Sequence, residues 1–376
     1  MKIVHVFHNY YPVVGGLERA VQSLAEELAK MGHEVHVITS RFGAEDRPRE
    51  EVINGVYVHR VKALKPYFPD LTYPLEYAEK VIRDADIVHG HSQNSLFTVK
   101  IIEKAKSLGA KTAMYFMAVD ALHDHPNPLV RLLGSFYASH MLKKAIALTE
   151  IRLVKSFRDL EILRNRYGVE VLYAPDGVSE EVVNAPNMAE EFRKRYKIRE
   201  PFVVYIGRLH RLKGVDVLIR AVSIAVKEHP KLKAVIIGPG DQEPYRELAQ
   251  RLGIKSNIIF LGYVDEKTKI EALDASIALV LPSICNYVEV FSIVISEAWA
   301  RSKPVIATVV GEIPYRVKHM IDGLLIPPKN PLKLAEAIIT LLNDENLRTK
   351  LGTEGRRNIL TWSEIATKII SIYKYA

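Results

Sequence analysis

Short apolar runs rich in β-branched residues recur along the chain. In the first half they are KIVHVF (2–7), EVHVIT (34–39), DIVHGH (86–91), KTAMYF (111–116) and AIALT (145–149), and most are separated by segments with helical spacing. Strand-length runs alternating with amphipathic helical segments predict parallel sheets with helical crossovers. Between residues 16 and 31, Leu17, Val21, Leu24, Leu28 and Met31 fall at three- and four-residue intervals, and the pattern stops at Gly32, where a helix C-cap is expected. The rhythm restarts after residue 200 with FVVYIG, KAVIIG, NIIFLG, IALVLP and PVIAT. Between the two series, residues 173–187 collect Pro175, Asp176, Gly177, Asn184, Pro186 and Asn187, residues of turns and linkers rather than interiors. The expected organisation is α/β, with one parallel-sheet domain over 1–178 and a second over 179–360. A terminal helix, 361–376, opens at Thr361 or Ser363 and leans back on the first domain. The segment 62–74, rich in Pro and aromatics, is expected to be irregular, and Asp84–Asp86 to be a helix end entering a strand rather than a metal motif.

Composition narrows the class. A chain of 376 residues with 48% hydrophobic and 26% charged positions has the balance of a globular protein with substantial cores. Its single cysteine, Cys285, excludes an intramolecular disulfide and a cysteine-based zinc cluster, which fits a reducing compartment. No run approaches the ~18 apolar residues of a spanning helix, and the N-terminus turns polar by His8, too early for a signal peptide. A cytoplasmic location is therefore expected. The net charge of +8 favours anionic partners: nucleic acid, phosphorylated small molecules or an acidic membrane surface. No nucleic-acid module or basic stripe is visible, so nucleic acid is not expected. Abundant Lys, Arg, Glu, Ile and Val with little Cys and Met fits a thermophilic source.

Candidate chemistry lies in the loops after strands, where parallel sheets bind ligands. Gly15 and Gly16 precede the first helix, and amides at a helix N-terminus suit an anion, although a tight turn is the plainer reading. In GRLHRLKG, Gly207 permits close approach, and Arg208 and Lys213 flank a loop that leads into a helix near Gly214. Two cations beside a helix N-terminus suit a diphosphate. The IIGPGD loop, with Gly238 and Gly240, is another strand-to-helix turn, but it lacks the six-residue glycine pattern of a dinucleotide fold. In ICNYVEVFSIVISEAWA, Glu289 and Glu297 stand in an otherwise apolar run. Separated by seven intervening residues, eight positions apart, they could bind sugar hydroxyls, act as an acid/base pair, or make structural ion pairs with Arg301 or Lys303.

The ordered series GRLHRLKG, IIGPGD, IIFLGYV, LPS, EVFSIVISE, EAWARSKPVIAT, GEIP and DGLLIPP resembles retaining glycosyltransferases of family 4, and PVVGGLERAV, DIVHGHS and YAPDGV extend the resemblance over essentially the whole chain. It implies the GT-B fold, two Rossmann-like domains facing across a cleft. It also implies a nucleoside-diphosphate sugar as donor, with UDP expected ahead of GDP or ADP, no cofactor and no metal. Catalytic roles fall on Arg208 and Lys213, which stabilise the departing diphosphate, and on Glu289 near the donor sugar. The implied donor site comprises Gly15, Gly16, Gly207, Gly238, Val264, Phe291, Ser292, Ile293 and Glu297, the last holding the ribose.

Three positions depart from the family pattern. Ser292 stands where a Gly is usual, GEIPY replaces Gly-Gly-x-Pro-Glu, and Met117-Ala118 replaces a His-Gly pair, with Asp120 retained. On the acceptor side the candidates are therefore Asp120 with His91, His123 or His125 in place of the missing histidine. Segment 127–145 combines Leu, Phe and Tyr with Arg131, His140, Lys143 and Lys144. It reads either as an interfacial helix on anionic lipid or as a helix packed on its own sheet. The aromatic loop at Tyr67, Phe68 and Tyr73 either holds a lipid-linked acceptor or forms a satellite core. The function expected is retaining sugar transfer to a glycan, lipid-linked or small-molecule hydroxyl. The alternative is a protein that binds a sugar nucleotide and has lost transfer.

Overall fold

The computed structural model describes residues 1–13, 15–64, 68–124 and 127–375. The chain divides into two compact units, Met1–Gly177 with Leu360–Ala376, and Val178–Ile359.

The first unit is built on β1 (Lys2–Val6), β2 (Glu34–Ser40), β3 (Glu50–Ile53), β4 (Val56–Val61), the two-residue strands β5 (Ala63–Leu64) and β6 (Tyr73–Pro74), and β7 (Ile87–His91), β8 (Thr112–Phe116), β9 (Ile151–Val154) and β10 (Leu172–Tyr173). Eight of these form one sheet in the order β10-β9-β8-β7-β1-β2-β4-β3, parallel except for the β3–β4 edge pair. Alternation along the strands sorts the two faces. Val4, Val6, Val88, Met114 and Phe116 share a core with Phe97 and Ile101 of helix Leu96–Ser107 and Met141 and Leu142 of helix Pro128–Leu148. His5, His89, His91 and Tyr115 lie on the opposite face. There the Tyr373 hydroxyl of helix Trp362–Tyr375 bonds His89 Nδ1 at 2.5 Å, and that helix packs beside Gly16–Lys30. It opens with a capping box: the Thr361 amide donates to Glu364 at 2.7 Å, and the Glu364 amide to Thr361 Oγ1 at 3.3 Å.

The second unit continues with β11 (Phe202–Ile206), β12 (Lys233–Ile237), β13 (Ile258–Gly262), β14 (Leu279–Leu281), β15 (Val305–Thr308) and β16 (Gly323–Ile326). All pair in parallel, in the order β13-β12-β11-β14-β15-β16. Both faces are covered. Val203, Tyr205 and Ile236 pack with Leu218 and Val222 of helix Val215–Ala225, and Val204, Val235 and Leu279 pack with Ile295 and Trp299 of helix Ile293–Ala300. Strands buried on both sides are why these runs read as continuously apolar.

Two segments differ from the sequence expectation. AIALT (145–149) ends helix Pro128–Leu148, and the strand is the next run, Ile151–Val154. A short apolar run has no period long enough to distinguish strand from helix, and here the helix continues from Asn127, whose side chain caps Leu129 and Val130. The segment 62–74 contains a small ribbon, with Ala63 opposite Pro74 and Leu64 opposite Tyr73.

Strand order reverses between β1 and β7. There His8 Nδ1 lies 2.9 Å from Ser95 Oγ, in the interior. Burial lowers the His8 pKa from 6.5 to about 4. Between those pH values the unfolded chain binds a proton that the folded chain refuses, so stability falls as pH drops through this window, by up to ~3 kcal/mol. In His8→Asn that contribution is absent. Acid titrations followed by circular dichroism should show a smaller loss between pH 6.5 and 4 for the variant, whereas identical pH slopes would refute the assignment.

Candidate functional site

The second unit reverses its strand order between β11 and β14, so the loops leaving those strands diverge and open a crevice. Three glycines bring the neighbouring loops close. The Gly207 amide donates to Ile237 O (2.9 Å), the Gly238 amide to Gly262 O (2.7 Å) and the Leu209 amide to Pro239 O (2.8 Å). Gly238 sits at φ 140°, and a Cβ there would lie 1.9 Å from Gly207 O, so any side chain would force these loops apart. Gly214, at φ 70°, leaves similarly little space against Pro282 O and starts helix Val215–Ala225. Arg208 is exposed, and its guanidinium has no ion-pair partner among the described residues. Lys213, from the same loop, crosses the reversal and places Nζ 2.7 Å from Glu289 Oε1 and 3.0 Å from Val288 O.

Glu289 is the hub of these loops and is 2% exposed. Oε1 also accepts from Ser283 Oγ at 2.5 Å, and Oε2 accepts from the Ser292 hydroxyl. The Glu289 carbonyl takes the Glu312 amide at 2.9 Å, tying in the loop after β15. The departure at Ser292 now has a physical account. Its φ of 56° and ψ of 64° are left-handed, a conformation that costs a non-glycine residue about 1–2 kcal/mol. In return its hydroxyl donates to a buried carboxylate. Arg316 supports the turn, donating to Phe291 O, to Ser292 O at 3.0 Å and to Ser296 Oγ at 2.5 Å, with its guanidinium 3.9 Å from the Phe291 ring centroid.

Glu297 lies in the middle of helix Ile293–Ala300, and Ile293 is that helix's first residue. Its Oε1 meets Lys269 Nζ at 2.6 Å, and Lys269 also pairs with Glu266 at 2.6 Å. Structural pairing of either glutamate with Arg301 or Lys303 does not occur. Arg301 binds Asp274 at 2.8 Å and Lys303 donates to Ser276 O at 3.1 Å, because both lie beyond the helix and point away from the loop. Val264, just after β13, is half-buried against the core that contains Phe202 and Leu281.

In the first unit, Gly15 is the extended N-cap of helix Gly16–Lys30. Glu18 folds back over it, its Oε2 only 2.1 Å from where a Gly15 Cβ would stand. The Glu18 carboxylate accepts from Asn9 Nδ2 at 3.3 Å and places a negative charge beside that N-terminus. Gly16 is exposed with open space around it. Met117 is buried, and its backbone pairs in both directions with the Gln93 amide at 2.9 Å. Ala118 takes φ 53°, the conformation that glycine adopts most readily, held by Asp159, which accepts from the Ala118 and Val119 amides at 3.0 and 2.8 Å. The Asp120 carboxylate is taken by Arg166 at 2.5 Å and Tyr167 Oη at 3.1 Å. His123 is exposed, 3.8 Å from Asp120. His91 is buried in the sheet face, with Nε2 3.0 Å from His5 Nδ1, and presents no accessible ring edge. His125 and Tyr67 lie outside the described residues. Phe68 is exposed, and Tyr73 is partly buried. Among the described residues one group of side chains could hold a metal, His5 with His89 and His91.

Two family models match the chain. The one described as glycosyltransferase family 4 covers residues 14–182, and the one described as glycosyl transferases group 1 covers 188–358. An uncharacterized glycosyltransferase of Methanocaldococcus jannaschii is 28% identical over 100% of this chain and 98% of its own length. The chain is a GT-B glycosyltransferase. Among solved structures, sucrose-phosphate synthase from Thermosynechococcus elongatus shares the fold with a TM-score of 0.79 at 21% identity, covering 99% of this chain and 98% of that one. HepE of Anabaena, solved with UDP, has a TM-score of 0.78 at 19% identity, with 100% of each chain covered.

Several residues that organise this glycosyltransferase escaped the sequence reading: Lys269, Arg316, Ser283, Gln93 and Asp159. Ser283 carried a signal, because it follows the end of β14 by two places, in the loop that leads to Glu289. The others sit on helices or loops remote in sequence from the groups they hold, and nothing separates them from ordinary surface Lys, Arg, Gln or Asp.

Ser292 separates backbone strain from hydrogen bonding in this enzyme. Ser292→Gly removes both, whereas Ser292→Ala keeps the strain and loses the bond. The alanine variant should therefore be less stable by about 1–2 kcal/mol, a Tm several degrees below that of the glycine variant. Equal melting temperatures by calorimetry would show that the left-handed turn is not under strain.

Proposed function

We propose that this glycosyltransferase moves a sugar from a nucleoside-diphosphate sugar to an acceptor hydroxyl with retention of configuration. The carrying observation is the loop junction at the β11/β14 reversal, where unpaired Arg208, the Lys213–Glu289 pair and the start of helix Val215–Ala225 converge. The diphosphate gains negative charge as its bond to the sugar breaks, and Arg208, Lys213 and the helix N-terminus meet that charge without a metal ion. When Lys213 turns to the phosphate, Glu289 Oε1 loses a donor and becomes free to take a sugar hydroxyl. The leaving diphosphate then receives the proton of an acceptor attacking from the same face. Phe291, Ser292 and Ile293 supply the turn that borders the sugar. Glu297, with its second oxygen uncommitted to Lys269, takes the ribose hydroxyls. UDP-sugars are the first donors to test, and the UDP bound in the Anabaena neighbour supports that order.

The two cations should behave differently. Arg208→Ala leaves the ligand-free Tm within about a degree, because an exposed group without partners is lost. It should weaken UDP binding by ~10–100-fold, the value of a charge-assisted contact. Lys213→Met lowers the ligand-free stability as well, by ~3 kcal/mol or more, because it strands a buried carboxylate. Melting curves with and without UDP, GDP and ADP check both statements. UDP affinity unchanged in Arg208→Ala would contradict the assignment. Labelled-donor turnover separates transfer from binding alone: release of sugar by wild type that is lost in Glu289→Ala supports an active enzyme, and no release would favour the binding-only alternative suggested by Met117.

Helix Pro128–Leu148 supports a lipid-linked acceptor reached at an anionic membrane surface. Leu129, Leu132, Leu133 and Phe136 are 63, 71, 61 and 80% exposed. Their three- and four-residue spacing puts them on one stripe, with Arg131, His140 and Lys143 also exposed. Lys144 instead pairs with Glu103 at 2.8 Å. No helix among the described residues is long and apolar enough to cross a membrane, so contact at the surface is the form proposed. Wild type should sediment with phosphatidylglycerol vesicles and not with phosphatidylcholine vesicles, and Leu132→Ser/Phe136→Ser should reduce binding ~10-fold or more. Failure of the wild type to sediment, or equal sedimentation of the double variant, would remove the membrane reading.

A further inference from the structure

The face of the first sheet opposite the core of Val4, Val6 and Val88 holds three histidines on two adjacent strands. His5 on β1 is in register with His89 on β7, and His91 follows two residues later on the same face. All three are at most 1% exposed. Each offers a ring nitrogen, and these nitrogens lie within 4.8 Å of one another. His5 Nδ1 and His91 Nε2 are 3.0 Å apart. Each ring also carries a buried nitrogen with no hydrogen-bond partner: His5 Nε2, His89 Nε2 and His91 Nδ1. Buried polar atoms are almost always satisfied, and the three unsatisfied nitrogens show that protein groups alone do not complete the hydrogen bonding of this cluster.

We propose that His5, His89 and His91 form a site for a borderline transition-metal dication, zinc first, within the first unit. Neutral imidazole is the ligating form of histidine. Zn–N bonds of about 2.1 Å in a tetrahedron require ligand nitrogens about 3.4 Å apart. The widest spacing here exceeds that by at most about 1.4 Å, and the stacked His89 and His91 rings, with centroids 4.6 Å apart and planes 24° from parallel, turn to converge on one ion. His89 already has the second-shell partner typical of a metal-bound histidine, the Tyr373 hydroxyl on Nδ1, which fixes the ring and leaves Nε2 for the ion. Lys155 is the cation that faces the cluster. Its ammonium is held by Asp176 at 2.5 Å, which offsets its repulsion of a dication. Among the described residues the group consists of these three side chains. The site is structural: it ties β1 and β7 to the terminal helix through Tyr373 and has no part in the donor chemistry proposed for the second unit.

The test uses the full chain, stripped with a chelator and dialysed against cobalt(II) or zinc. Wild type should retain one equivalent of metal, show visible cobalt bands of the intensity of a tetrahedral site, and gain several degrees in Tm with zinc. His89→Gln/His91→Gln should lose the bands, and Tyr373→Phe should keep them with at least ~10-fold weaker affinity, as expected for a second-shell partner. A second histidine pair, His36 with His59, lies 2.9 Å apart near Glu34 and Glu50 and serves as the control. His59→Gln must leave the cobalt spectrum intact. Failure of folded wild type to retain cobalt or zinc, or loss of the bands in His59→Gln rather than in the buried variant, overturns the proposal. Wild-type retention is decisive even if the buried double variant does not fold.

Discussion

Everything proposed for this enzyme depends on one ion pair, Lys213 with Glu289, made where the strands of the second sheet reverse their order. A carboxylate so deeply buried is tolerated only because a lysine and two serines satisfy it. Satisfying it fixes the loops after β11 and β14 against each other, and the Glu312 amide brings in the loop after β15. In the proposed function the arrangement holds a cation for the donor phosphate, and without ligand that cation is paired with Glu289. Arg208 lacks such a partner and is free to move. The asymmetry divides the work: one cation helps to build the site, and the other contributes only when the ligand arrives.

The first unit repeats the topology with different chemistry. Its reversal between β1 and β7 is bridged by neutral groups, His8 and Ser95, and the Glu18 carboxylate lies beside the nearby helix N-terminus. The loop after β8 is ordered by Gln93 and Asp159 around Met117. Its acidic and histidine groups are largely engaged internally, with Asp120 held by Arg166 and His91 by His5. Of the candidates for the histidine that the family pattern expects, His91 is buried and His123 is exposed.

Fold class was legible because parallel strands buried on both faces write themselves as apolar runs, and crossover helices as periodic stripes. The run at 145–149 misled because a five-residue segment carries no usable period, while the Asn127 cap that sets its helix lies eighteen residues upstream. Arg208, Lys213 and Glu289 were legible because strand ends are marked by glycine and proline. The groups that brace the site were less legible, since Arg316 and Lys269 reach Ser292 and Glu297 across distances that sequence order does not reveal. Ser292 shows the same limit. Its identity was plain in the chain, but its left-handed backbone and bond to Glu289 appear only in three dimensions. The histidines at 5, 89 and 91 read singly as strand residues, because only the β1–β7 register brings them together.

Amide hydrogen exchange, measured by mass spectrometry with and without saturating UDP, tests the central claim most directly. If the diphosphate is held at the β11/β14 reversal, protection should rise in peptides spanning 207–218 and 286–297, with no comparable change at the Gly15 N-cap. Protection confined to the first unit, or none at a UDP concentration that raises Tm, would contradict the assignment.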